Sequence, residues 1–195
     1  LKVFNSRLIM SLKSFFCCQK ISNSDFIKVD TQGYNYEILQ GSQRILKSTL
    51  GVETEAEFTQ IYKGQKLFGN ISDVLNKNNF EFIDFITLRR WNRKNLKNYG
   101  QCVFGNALFL KKPEYVFNLP KDRIIKYIAI CTLYNKFDLV DNILKSKKIN
   151  KIEKLKIKES LKFFKKYSNT SRNISKVASF LNRSVDYESE IHIFQ

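Results

Sequence analysis

Two apolar patterns alternate along the first part of the chain. Short apolar runs bounded by turn residues predict strands, and apolar positions spaced by three and four predict helices. Asp25-Phe26-Ile27-Lys28-Val29-Asp30 reads as a short buried parallel strand. Thr31-Gln32-Gly33 is the turn behind it. From there, Tyr34, Ile38, Leu39, Ile45 and Leu46 form one helical face suited to packing on a sheet. Gly41 within that helix costs about 1 kcal/mol of propensity, which suggests a close backbone approach. Thr49 to Phe58 predicts a second strand, with Val52, Thr54, Ala56 and Phe58 on one face and Glu53, Glu55 and Glu57 on the other. A short helix over Ile71–Lys77, capped by Asn70 or Ser72, precedes two more strands, Phe80–Thr87 and Cys102–Lys111. Those two are suited to antiparallel pairing, with a basic polar loop at Arg89–Lys94 between them.

Turn formers then disappear. Every glycine lies between Gly33 and Gly105, Pro113 and Pro120 follow, and neither residue type occurs beyond Pro120. Helices are predicted at Lys121–Tyr134, Asp138–Ser146, Lys151–Tyr167 and Ile174–Asn182, the first two as a hairpin through Asn135-Lys136-Phe137. The tail after Arg183 reads as loose or as a short strand at Ile191–Phe194. The expected organisation is an α/β part over residues 1–118 and an all-helical appendage over 119–195.

Composition refines this picture. At 195 residues and 43% hydrophobic, the chain can bury a core, which excludes global disorder. The net charge is +16. That admits an anionic partner, but lysine greatly outnumbers arginine, and phosphate readers favour arginine forks; no specific nucleic-acid partner is expected. Lys151, Lys154, Lys158, Lys162 and Lys165 share one narrow helical face, which suits either solvent or an anionic polymer or membrane surface. Cys17, Cys18, Cys102 and Cys131 show no CxxC spacing, and His192 is the one histidine. A zinc site is therefore not expected, nor any other metal, and the thiols read as reduced and cytoplasmic. Lys2, Arg7 and Lys13 interrupt any signal-like apolar run, and no run has the length of a membrane span.

The candidate chemistry lies between Asp30 and Gln65. Asp30 sits where a strand ends and a glycine turn opens, the edge at which open α/β sheets bind ligands. An acid there serves as base, orients a hydroxyl, holds a cation, or simply caps the following helix. Burying Glu53, Glu55 and Glu57 unpaired would cost several kcal/mol. Their face is therefore wet, or meets cations such as Lys28 and Arg44, or lines a site. Gly33 supplies a backbone angle that other residues resist. Tyr62 and Gln65 stand in a glycine-bracketed loop, Tyr62 to Gly69, where an aromatic ring and an amide suit a sugar; the other reading is a lid anchored by Phe68.

Taken in order, Phe26–Asp30, Gln32-Gly33-Tyr34, Glu37–Gly41, Val52–Phe58, Tyr62 with Gly64-Gln65 and Leu67-Phe68, and Asn106–Phe109 resemble the FkbM family of methyltransferases over residues 25–111. The resemblance implies a class I, Rossmann-like methyltransferase sheet, here its C-terminal half. It also implies methyl transfer from S-adenosylmethionine to a hydroxyl of a small-molecule or glycan acceptor. It places Asp30 near the transferred methyl and Glu53 as the next catalytic acid. Asp30, Gln32 and Gly33 are then cofactor contacts, and Tyr34, Glu55, Tyr62 and Gln65 acceptor contacts. The family's glycine-rich cofactor loop is expected upstream of residue 1, so the chain as given is expected to bind cofactor weakly and to be inactive alone. The alternative is a non-enzymatic basic module that binds a polyanion.

Overall fold

The computed structural model describes residues 23–92 and 100–181, without side chains beyond Lys166. Cys17, Cys18, His192, the N-terminal stretch, Arg93 and Lys94 of the basic loop, and the strand expected at Ile191–Phe194 lie outside the described residues. These divide into two compact units, one ending at Ile130 and one starting at Cys131.

The first unit is built on four strands: β1 (Phe26–Val29), β2 (Gly51–Glu57), β3 (Phe80–Trp91) and β4 (Gln101–Lys111). Their order in the sheet is β1-β2-β4-β3. β1 and β2 are parallel, as a crossover of helices between them requires. β4 runs antiparallel to both β2 and β3. The register places Ile27 opposite Val52 and Val29 opposite Thr54 on one face, and Lys28 opposite Glu53 on the other. The apolar face carries the core: Val29, Val52, Ala56, Ala107 and Phe109 pack with Leu39, Leu46, Ile71 and Leu75. This alternation fixes the register, because a one-residue slip would turn the three glutamates into that core.

The crossover is two helices, α1 (Asn35–Gly41) and α2 (Gln43–Ser48), where the periodicity predicts one. The break falls at Ser42, whose Oγ donates back to Ile38 O at 2.6 Å, so the side chain competes with the helix ladder. Gly41 has open space around it. Its role is the break, not the close packing expected from the sequence. Helix α3 (Phe68–Asn76) begins earlier than predicted, with Leu67 as N-cap residue. Asn70 serves from inside the helix, its Oδ1 accepting from Leu67 N at 3.1 Å.

Strand β3 extends to Trp91, through Arg89 and Arg90, which the sequence places in a loop. As an edge strand it leaves these side chains in solvent, so their charge does not oppose strand formation. A four-residue helix α4 (Pro113–Val116) opens on proline and leads to α5 (Lys121–Leu133). The second unit holds α6 (Phe137–Ile143) and one 31-residue helix α7 (Lys151–Leu181) in place of the two helices expected there. Ser168–Asn173 are weak helix formers, but no Gly or Pro interrupts them. Cys102 is a free thiol, half-buried, and Cys131 is buried. No helix among the described residues is long and apolar enough to cross a membrane.

Candidate active site

The chain leaves β1 at Asp30, which is exposed, and turns through two residues of positive φ, Gln32 at 45° and Gly33 at 99°. The turn is held from beneath by Asn35, which is 1% exposed. Asn35 Oδ1 accepts from Thr31 N at 3.0 Å and from Thr31 Oγ1 at 2.7 Å. Its Nδ2 donates to Glu55 O at 3.0 Å. One buried amide thus ties the β1 turn, the first turn of α1 and the middle of β2 into a unit. Sequence reasoning missed Asn35 as a site residue. Its partner Glu55 is twenty positions away, and no local pattern signals such a bond.

A Cβ on Gly33 would lie 2.8 Å from the Tyr62 ring and 3.2 Å from Gln65 Nε2. The loop after β2 therefore packs directly on the turn after β1. Gln65 holds that loop in shape, its Oε1 accepting from Ile61 N at 3.0 Å and Tyr62 N at 3.1 Å. The loop is anchored below by Phe68, whose ring lies 5.3–6.0 Å from those of Phe58, Phe82, Phe85 and Phe109. Tyr62 and Tyr34 stay substantially exposed, at 53% and 42%, so both present aromatic surface at this edge.

The glutamate face is not solvated. Glu53 is 7% exposed and Glu57 2% exposed, and Glu55 is half-buried. Glu53 pairs with Lys28 at 2.9 Å, one of the two cations suggested by the sequence. The hydrogen bond to Glu53 and its charge raise the Lys28 pKa. Glu55 is raised by burial and then by the charge of Asp30. Glu57 is raised from the ordinary 4.5 to about 7, first by burial and then by Glu55, with Asp30 adding to it and the Gln65 amide opposing it. Asp30, Glu55 and Glu57 thus share one electrostatic field at the end of the parallel pair.

Residues 9–82 match the family model of the methyltransferase FkbM domain. The FkbM match starts before the resemblance read from the sequence and stops inside β3. It includes every residue of the acid-rich edge, from Asp30 through Gln65. The four-stranded mixed sheet with its helices is compatible with a methyltransferase-like fold. No curated protein and no solved structure matches the chain.

The segment that matches the family model brings Asp30, Gln32, Gly33, Tyr34, Glu55, Tyr62 and Gln65 to one edge. Glu53 lies further back along β2, against Lys28. Two buried polar atoms here have no hydrogen-bond partner, Gln65 Nε2 and Glu37 Oε2. Such orphans are uncommon in folded proteins. No group of three or more His, Cys, Asp or Glu among the described residues is placed to hold a metal ion.

A cleft of 480 Å³ lies at the other end of the strands, lined by Asp25, Lys47, Leu50, Tyr115, Arg123 and Lys126. It is remote from this chemistry, since β1 separates Asp25 from Asp30 by about 16 Å of extended chain. Asp25 is paired within it. Arg123 donates to Asp25 and to Ser48 O, and Lys126 lies 2.8 Å from Asp25. The Lys126 hydrogen bond is the largest cause holding the Asp25 pKa down.

Proposed function

We propose that the acid-rich edge is the active end of an FkbM-type methyltransferase. It acts on a hydroxyl of a sugar, polysaccharide or natural product, with S-adenosylmethionine as donor. The observation that carries the reading is the meeting of the Asp30–Gly33 turn, Glu55 and the Tyr62–Gln65 loop at one sheet edge, within the segment that matches the FkbM model.

The residues present suit the donor in charge. Three acids crowd one edge, two of them with raised pKa, and a cation there would relieve their repulsion. S-adenosylmethionine, when bound, supplies a methyl group on a cationic sulfur. Asp30, with the backbone of Gln32 and Gly33, would hold it. Among the described residues no glycine-rich strand–turn–helix adds to that hold, so binding by this chain is expected to be weak.

The chain's own residues would position the acceptor and take its proton. Tyr34 and Tyr62 offer aromatic faces to a sugar ring, and Gln65 and Glu55 offer polar contacts. Glu53 was the second acid suggested by the family pattern. Its pairing with Lys28 suits a fixed negative charge. Glu57 suits the base better, because a carboxyl with pKa about 7 both accepts and releases a proton near neutral pH. In-line positioning of hydroxyl and methyl is the remaining task.

The test is transfer of radiolabelled methyl from millimolar S-adenosylmethionine to a panel of sugars and polysaccharides. Any transfer detected should fall at least tenfold in Asp30→Asn and in Glu57→Gln. Transfer unchanged in both variants would remove the acid-rich edge from the mechanism.

A further inference from the structure

The second unit carries a surface that methyl transfer does not explain. Helix α7 has fifteen of its residues before Lys166, and over Lys151–Lys166 these and Lys166 include seven lysines and two glutamates. One side of the helix is used for packing, where Leu161 is 4% exposed. Four large apolar side chains are exposed: Ile152 at 66%, Leu155 at 55% and Phe163 at 60% away from Leu161, and Phe164 at 49% on the Leu161 side of the helix.

At 100° per residue, Ile152, Leu155 and Phe163 fall within about 80° of the helix circumference. Lys151, Lys154, Lys158, Lys162 and Lys165 fill the adjoining band of about 80°, and Lys156 borders the apolar band on its other side. Lys165 also reaches Asp141 at 3.8 Å and the Phe137 ring at 5.3 Å. Glu159 and Lys166 lie inside the apolar band, and Glu159 opposes the pattern in charge as well. A solvated lysine face needs no such apolar neighbour, and a nucleic acid would not reward one.

We infer that α7 is an in-plane anchor to an anionic lipid bilayer. The lysine heads meet the lipid headgroups, and Ile152, Leu155 and Phe163 enter the headgroup–acyl boundary. This is the arrangement by which a basic amphipathic helix lies on a membrane without spanning it. It concerns the second unit alone and does not depend on the chemistry proposed for the first.

Co-sedimentation of the whole chain with phosphatidylcholine vesicles, with and without phosphatidylserine, tests it. Binding only to the anionic vesicles is expected, with at least tenfold loss in Lys158→Glu/Lys162→Glu and about fivefold or greater loss in Ile152→Ser/Phe163→Ser. Glu159→Gln should strengthen binding. All of these side chains are exposed, and circular dichroism checks that the variants stay helical. Should a variant not fold, the inference still requires that wild-type binding weaken with salt. No binding to anionic vesicles, or equal binding to neutral ones, overturns it. So does binding that ignores Ile152→Ser/Phe163→Ser and is competed by a single-stranded RNA, which would mark a polyanion contact.

Discussion

Replacing Glu57 by glutamine should stabilise the protein at pH 8 and leave it unchanged at pH 4. Glu57 is 2% exposed and flanked by acids, so its charged form is disfavoured in the folded state. In the unfolded chain it titrates near 4.5, and in the fold near 7. Below pH 4 both states hold the proton, and the group has no effect on stability. Between 4.5 and 7 the folded state binds more protons, so stability falls as pH rises. At about 1.36 kcal/mol per pH unit, the whole window amounts to about 3 kcal/mol, an upper figure because local relaxation reduces it. Urea unfolding of wild type and Glu57→Gln at half-unit pH steps measures this directly. The stability difference should grow from near zero at pH 4 to about 2–3 kcal/mol at pH 8. Parallel pH profiles for the two proteins would refute the argument, because they would mean that Glu57 titrates like an exposed carboxylate.

Other perturbations bear on the same framework. Asn35→Leu removes three hydrogen bonds and strands Thr31 N, while Glu55 O keeps the bond from Thr54 Oγ1, so it should cost about 1–3 kcal/mol in urea unfolding; a loss below 1 kcal/mol would show that water replaces the amide. Gly33→Ala meets both a φ of 99° and the Tyr62 ring, and should cost about 1–3 kcal/mol; the double variant Gly33→Ala/Tyr62→Ala should recover part of that loss. Lys111 is 1% exposed, donates to Asn78 O and lies 4.0 Å from the Phe80 ring centroid. Burial lowers its pKa from 10.5 to about 8. The charged form is thus disfavoured in the fold, so stability should rise between pH 8 and 10.5. Lys111→Met should abolish that rise, and an unchanged rise would assign it to another group.

The strands and the acid-rich edge were legible because their signals are local. Period-two alternation through Val52–Phe58 separates core from acid, and Asp30 followed by Gly33 marks a strand end and turn. What eluded the sequence depends on contacts distant along the chain. Asn35 acts through Glu55. Glu57 meets Gln65 of the loop after β2, and Glu53 meets Lys28 of the neighbouring strand. The continuity of α7 depended on the absence of any strong breaker, which weak formers such as Ser168 and Asn169 obscured. Helix α4 carries a local signal, Pro113 at its first position.

The most direct test of the central claim is an amide chemical-shift map of the isotopically labelled chain with S-adenosylmethionine added to millimolar concentration, where even weak binding is visible. The account predicts shifts at Asp30, Gln32, Gly33, Glu55 and Glu57, and their loss in Asp30→Asn. Shifts clustered at the Arg123 cleft, or none at the acid-rich edge, would contradict it.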